Sequence, residues 1–273
     1  MRTDVDAAEC PLNVELIRRQ LPGGGIGRRL CLYESVTSTN AALRALAHAG
    51  AADGTVLLAE SQTAGRGRGG RSWFSPPGVN LYASVLYRPE IGPAAAPVFS
   101  FVTSLAVADA IREEGAAPAI KWPNDVLVKG AKLAGTLVEL AGSTERLDYI
   151  ILGVGVNLNV RHAALRAALG PAARHATSLR EVLGRPVDRN AFAASFLASL
   201  DEWRITYGEQ GPAALLRAWR DLDIVTGRRV EVRADGTVLD GRARGVGEDG
   251  RLEVEDARGA VHRIVAGEVR LIE

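Results

Sequence analysis

Residues 149–157 read Tyr-Ile-Ile-Leu-Gly-Val-Gly-Val-Asn, with no charged side chain among them. A run so apolar reads as a strand buried inside a sheet, since a solvated strand would alternate apolar with polar residues. The rest of the chain must therefore supply neighbours for it. Residues 30–36, 55–61 and 81–87 are strand-like, and residues 125–128 form a short extended run that Lys129-Gly130 turns back along 133–140. Pro123 holds Trp122 extended, so Asn124 and Asp125 begin a strand with their polar ends displayed. Across this hairpin Asp125 and Lys132 are expected to approach each other.

Helices alternate with these strands. Thr37-Ser38-Thr39-Asn40 supplies N-cap chemistry ahead of a helix over 41–49, with Gly50 as its stop. Residues 97–114 carry a broad apolar helical face, and 178–183, 189–207 and 212–220 are helical with caps or breakers in suitable places. Before the first strand, residues 1–29 hold a short amphipathic piece over 14–21 and then Gly23-Gly24-Gly25, which reads as an arm or linker. From about Leu222 the pattern changes to short alternating strands with turns at Asp235-Gly236, Asp249-Gly250 and Arg258-Gly259. The expected organisation is an α+β unit over 1–222, a mostly antiparallel sheet with helices on one side, followed by a small antiparallel barrel over 223–273.

The whole-chain numbers remove several function classes. A formal net charge of +1 gives no bulk electrostatic reason to bind nucleic acid or a membrane surface. Cys10 and Cys31 lack metal-ligand spacing, and His48, His162, His175 and His262 are scattered. The acidic N-terminus is unlike a secretory signal, and the most apolar stretch, 97–111, is broken by Ser100, Thr103, Ser104 and Asp109. A reduced, cytoplasmic protein is expected.

Of 33 basic side chains only three are lysine, and Lys121, Lys129 and Lys132 fall within twelve residues. An ammonium is a compact, rotatable point charge where guanidinium is a wide fork, so the cluster marks a place where arginine will not serve. Gly65-Arg-Gly67-Arg-Gly-Gly70-Arg71-Ser72 satisfies the text of two phosphate-binding motifs. Both require a helix to start directly after the glycines, and Trp73-Phe-Ser-Pro-Pro cannot start one. What remains is a flexible basic loop whose backbone amides are open to an anion and which is expected to order on binding one.

Ser38-Thr39-Asn40, Gln62, Gly65-Arg-Gly-Arg68, Trp73-Phe-Ser-Pro, Lys121-Trp-Pro-Asn-Asp125, Lys132-Leu-Ala-Gly135 and Gly153-Val-Gly-Val-Asn157 together resemble the biotin–protein ligase (biotin–[acetyl-CoA-carboxylase] ligase) family, in order from about residue 33 to 160. The resemblance implies a class II synthetase-like catalytic domain with an SH3-like C-terminal barrel. It implies ATP and biotin as substrates with Mg²⁺, an adenylate intermediate, and a biotin carboxyl carrier domain as acceptor. By matching position, Ser38, Thr39, Asn40, Gln62, Gly65, Arg66, Gly67, Arg68 and Lys132 would hold biotin, with Gly135, Leu137 and Gly153 along its pocket. Arg68, Arg71, Trp73, Lys121, Asn124, Lys132 and Asn157 would face ATP. Lys132, Arg68 and Asp125 would be catalytic, with Asp125 an indirect partner of Mg²⁺. The first strand near residue 30 leaves no room for the DNA-binding unit of some members, so a monofunctional enzyme is expected, as monomer or weak homodimer, with no nucleic-acid or membrane partner. Gly69 stands where some members have a basic residue. A lipoate–protein ligase and a non-catalytic biotin-responsive regulator are the rival readings.

Overall fold

The computed structural model describes residues 11–23, 25–234 and 236–272; Cys10, Gly24 and Asp235 lie outside them. A short helix, α1 (Val14–Gln20), precedes strand β1 (Leu30–Val36), and α2 (Thr39–His48) then crosses to β2 (Val56–Gln62). That helical crossover is what lets β1 and β2 pair in parallel. Then come β3 (Leu81–Tyr87), α3 (Phe99–Glu113), β4 (Pro118–Lys121), β5 (Asp125–Val128), β6 (Ala131–Gly142) and β7 (Leu147–Val156). All their pairings are antiparallel, and the seven strands lie in the order β1-β2-β3-β7-β6-β5-β4. The apolar run sits in β7, at the centre of the sheet, with Ile150, Ile151 and Leu152 all buried.

Helices α4 (His162–Leu169), α5 (Leu179–Leu183), α6 (Arg189–Gln210) and α7 (Pro212–Arg220) follow. One face of the sheet packs on α3 and α6, where Phe99, Phe101, Phe192 and Phe196 meet Val56, Leu58, Val85 and Leu152 in the main core. The expectation that helices occupy a single side needs correcting. Leu57, Leu86 and Ile151 point to the other face and bury Leu43 and Ala47 of α2, because alternate residues of a buried strand must both find cover.

The stretch read as an arm is also packed. Asn13 caps α1 through its side chain and its own amide donates to Asn190 Oδ1 at 2.7 Å, while Ile17 is fully buried. The Leu12 amide donates to Glu60 Oε1 at 2.6 Å, and Glu60 in turn pairs with the buried Arg189 guanidinium at 2.7 Å. The N-terminal chain is thus tied to the sheet through one carboxylate.

The remaining strands, β8 (Arg229–Ala234), β9 (Thr237–Val246), β10 (Leu252–Glu255), β11 (Val261–Ile264) and β12 (Glu268–Ile272), form a separate antiparallel sheet in the order β11-β10-β9-β8-β12. It is held against the larger unit by backbone and side chain alike. Ile120 of β4 pairs with Leu222 and with Ile224 on the way into β8, and Trp122 Nε1 donates to Gly250 O at 3.1 Å.

Arg189→Ala leaves the largely buried Glu60 carboxylate without its cation. The expected result is a loss of about 3–5 kcal/mol of unfolding free energy, read from urea denaturation, as for other buried pairs broken on one side.

Candidate functional site

Three rows of register partners cross β3, β7 and β6 on the face that carries α2: Leu86–Ile151–Glu139, Ser84–Gly153–Leu137 and Tyr82–Gly155–Gly135. Leu86 and Ile151 of the first are covered by α2. In the next two the central strand offers only glycine, so the sheet face drops into a trough just beyond the start of α2. A Cβ on Gly153 would overlap Asn40, one on Gly155 would overlap the Trp73 indole, and one on Gly135 would come within 3.4 Å of both Lys132 Nζ and Trp73. The trough opens into a cavity of about 1070 Å³.

The start of α2 faces this cavity. Ser38 occupies the N-cap position, yet its side chain makes no capping bond, and the helix begins at Thr39 rather than Ala41. Ser38, Thr39 and Asn40 are buried and line the cavity instead. Gln62 Oε1 accepts from Thr39 N at 2.9 Å and from Thr39 Oγ1 at 3.2 Å, and Gln62 Nε2 donates to Ser75 Oγ at 2.9 Å.

The glycine loop, expected to be flexible, is folded over the trough as a narrow strap. Gly67 N donates to Arg71 O at 2.7 Å and Trp73 N to Gly65 O at 2.9 Å, with a single 3₁₀ turn over Arg68–Gly70 at the tip. Gly69 and Gly70 turn that tip at φ of 62° and 74°, which favours glycine there. Of the expected site residues only Gly65 does not line the cavity. It sits in the root of the strap, where a Cβ would come within 2.7 Å of Trp73 O and Ser75 Oγ. Arg66 reaches Glu139 at 3.3 Å, which Arg44 of α2 also holds at 3.0 Å, and Arg71 reaches Glu268 of β12 at 3.1 Å. Burial holds the Arg68 guanidinium below its ordinary pKa, against the pull of Asp125 and with a small push from Arg71.

Lys132 gets to the cavity through a register shift. Asp125 pairs with Gly135 and Val126 with Ala134, but Leu127 pairs with Lys132, so Leu133 is an extra residue on β6. Leu133 and Ala134 both enter the main core, and Lys132 emerges on the same face as Gly135. Its Nζ lies 2.5 Å from Asp125 Oδ1 and 5.4 Å from the centre of the Trp73 ring. The approach of Asp125 and Lys132 was legible in the sequence; the bulge that aims it was not.

Lys121, Asn124 and Asn157 complete the far wall, Asn124 Nδ2 donating to Thr136 O at 2.5 Å and Asn157 Nδ2 to Thr177 O at 3.0 Å. Two parts of the wall went unread. Leu165, Leu169, Arg174 and His175 come from α4 and the 3₁₀ turn after it, while Glu231, Arg233, Glu268 and Arg270 come from the C-terminal sheet. The latter lie roughly a hundred residues or more from Lys121–Lys132 in sequence, with no local pattern to tie them to it. Among the described residues no three metal-binding side chains cluster. Asp125 is the carboxylate beside Lys132 and Arg68, which suits a cation that arrives already held by phosphates and keeps most of its water.

Residues 32–157 match the biotin/lipoate A/B protein ligase family, and residues 225–271 match the biotin protein ligase C-terminal domain. The chain is 39% identical over 276 residues to a biotin–[acetyl-CoA-carboxylase] ligase of Mycobacterium tuberculosis, covering 98% of each chain. It is 36% identical over 262 residues to the bifunctional ligase/repressor BirA of Escherichia coli, covering 95% of this chain and 78% of that one. The biotin protein ligase from Aquifex aeolicus in complex with biotin and ATP superposes with a TM-score of 0.75 at 28% identity, covering 90% of this chain and 99% of that one.

Gly155→Ala tests the seat of the indole. An added methyl should lift Trp73 off β7, shift the tryptophan emission spectrum, and cost about 1–3 kcal/mol of stability as an overpacked site does. Unchanged emission would show that Trp73 does not rest on Gly155.

Proposed function

Since the chain belongs to the biotin protein ligase family, we propose that it activates biotin with ATP and transfers it to a lysine of a carboxylase's biotin carboxyl carrier domain. The observation that carries this reading is Lys132, set against Asp125 and the Trp73 ring, with Arg68 near the same carboxylate, at the junction of the trough and the basic strap. In the first step a biotin carboxylate oxygen bonds to the α-phosphorus of ATP and the bond to the bridging oxygen of pyrophosphate breaks, leaving biotinoyl-5′-AMP. In the second, the acceptor amine attacks the acyl carbon, an amide forms, its proton is lost to solvent, and AMP departs.

The chain's own groups fit these demands. Ser38, Thr39, Asn40 and Gln62 offer donors and acceptors along the trough, and Leu137, Gly135 and Gly153 border the space for an apolar ring and tail. Bringing a carboxylate to a phosphate requires cations that neutralise both. Lys132 sits where it can follow the carboxylate oxygen as it becomes the bridging one, and Arg66, Gly67, Arg68 and Arg71 present the strap's charges and amides to the phosphates. Lys121, Asn124 and Asn157 face the nucleotide from the other wall, and Trp73 covers the joined product. Mg²⁺ bound to the nucleotide would screen the leaving pyrophosphate, with Asp125 meeting it through water. Use of ATP supports the cytoplasm as its compartment, and no helix of the described residues is long and apolar enough to cross a membrane.

The test is to incubate the protein with ATP, Mg²⁺, either biotin or lipoate, and a carrier domain, and to weigh the carrier. A mass gain of one biotin on one lysine is expected, and a gain with lipoate alone would overturn the biotin assignment. Lys132→Ala should lower biotin-dependent ATP–pyrophosphate exchange by about 10²–10³-fold or more while the fold persists. Lys132→Arg should lose at least about tenfold, because a planar fork cannot replace one rotatable contact. Arg68→Gly removes a charge and adds freedom at the strap's tip, so the adenylate should escape and label an unrelated protein such as serum albumin.

A further inference from the structure

Ser84 is fully buried in β3 and does not line the cavity. Its hydroxyl nevertheless ends one step from it, donating to Asn40 Oδ1 at 2.6 Å, while Asn40 Nδ2 donates to the Leu137 carbonyl at 3.3 Å. Ser84, Gly153 and Leu137 are register partners on three adjacent strands, so the Asn40 amide lies across that row, above the one position that has no side chain. Any Cβ at Gly153 would occupy the space of the amide.

We infer that Ser84 is a positioning residue for the biotin pocket, acting through Asn40. The inference rests on the ligase reading only for the identity of the ligand. A primary amide has two donor hydrogens and two acceptor lone pairs, and its ends are interchangeable unless neighbours distinguish them. The Leu137 carbonyl accepts only from the nitrogen end, and the Ser84 hydroxyl, given an oxygen opposite it, donates; together they select one orientation. One hydrogen and one lone pair of Asn40 stay available to a ligand. Those are what a cyclic urea, with its N–H and C=O side by side, can use. Without the Ser84 hydroxyl a buried oxygen loses its donor, and the amide is free to turn. Asn40 thus presents a fixed polar pattern in the trough because a residue behind it holds it there.

The experiment compares wild type, Ser84→Ala, Ser84→Thr, Asn40→Ala and the double variant. Biotin affinity is read by calorimetry, and KM for biotin and for ATP by pyrophosphate exchange. Ser84→Ala is expected to weaken biotin binding about tenfold, with the KM for ATP and the turnover at saturating biotin within about twofold, since one buried hydrogen bond to the pocket is lost and the nucleotide wall is untouched. Ser84→Thr, which keeps the hydroxyl, should retain most of the affinity. In the Asn40→Ala background the Ser84 change should add less than about twofold, because two residues acting in series are non-additive. Equal losses for biotin and ATP, full additivity, or unchanged biotin affinity in Ser84→Ala would each overturn the assignment. If Asn40→Ala does not fold, the Ala–Thr contrast at Ser84 decides alone. Binding is read apart from turnover, so absent exchange in the wild type would overturn the ligase reading while the affinities still decide the role of Ser84.

Discussion

The site depends on steric emptiness at the centre of a filled sheet. A middle strand that carried a side chain at every position would leave α2 and the glycine strap nothing to close over. β7 drops its side chains at Gly153 and Gly155, and β6 does the same at Gly135, opposite Gly155. The Asn40 amide and the Trp73 indole occupy the space so released. Main-chain freedom explains little here, since none of these three glycines has a positive φ. What matters is that other groups approach their Cα atoms more closely than any Cβ would permit.

Three basic groups around the trough are matched to carboxylates. Lys132 has Asp125, Arg66 has Glu139, and Arg71 has Glu268. Pairs as exposed as these contribute little to folding, typically under about 1 kcal/mol each. Their effect is on placement: the strap is tethered to β6 at its root and to β12 near its tip. On the proposed ligase reading, a polyphosphate entering the cavity would compete with these carboxylates for their cations, so binding would become an exchange of partners.

Much of this architecture is legible from local pattern. Residues 30–36 and 81–87 match β1 and β3, and residues 212–220 match α7, because alternation and caps act over a few residues. The Asp125–Lys132 pair follows from a tight turn joining two strands. The rest depends on contacts that no local window contains. α2 starts at Thr39, two residues ahead of Ala41, with the Thr39 amide and hydroxyl held by Gln62 of β2. The N-terminal stretch packs because Glu60 and Asn190, far along the chain, accept its amides. Gly65 reads as part of the binding loop but serves in its root, and the contribution of β8 and β12 to the wall arises only when two separate sheets meet.

The extra residue at Leu133 also makes the hairpin a counting device. With strict alternation, Lys132 would share a face with Ala134 and point into the main core. The bulge changes odd to even, so a single ammonium emerges beside Asp125 while Leu133 and Ala134 stay inside. Straightening the strand at unchanged length would reverse that parity and send the charge inward, with no change in composition at any position. An insertion beyond Gly142, outside the bulge, would leave it intact. The hairpin is therefore tolerant of what its exposed residues are and dependent on where its register slips, a geometric constraint on pairing rather than a chemical one on identity.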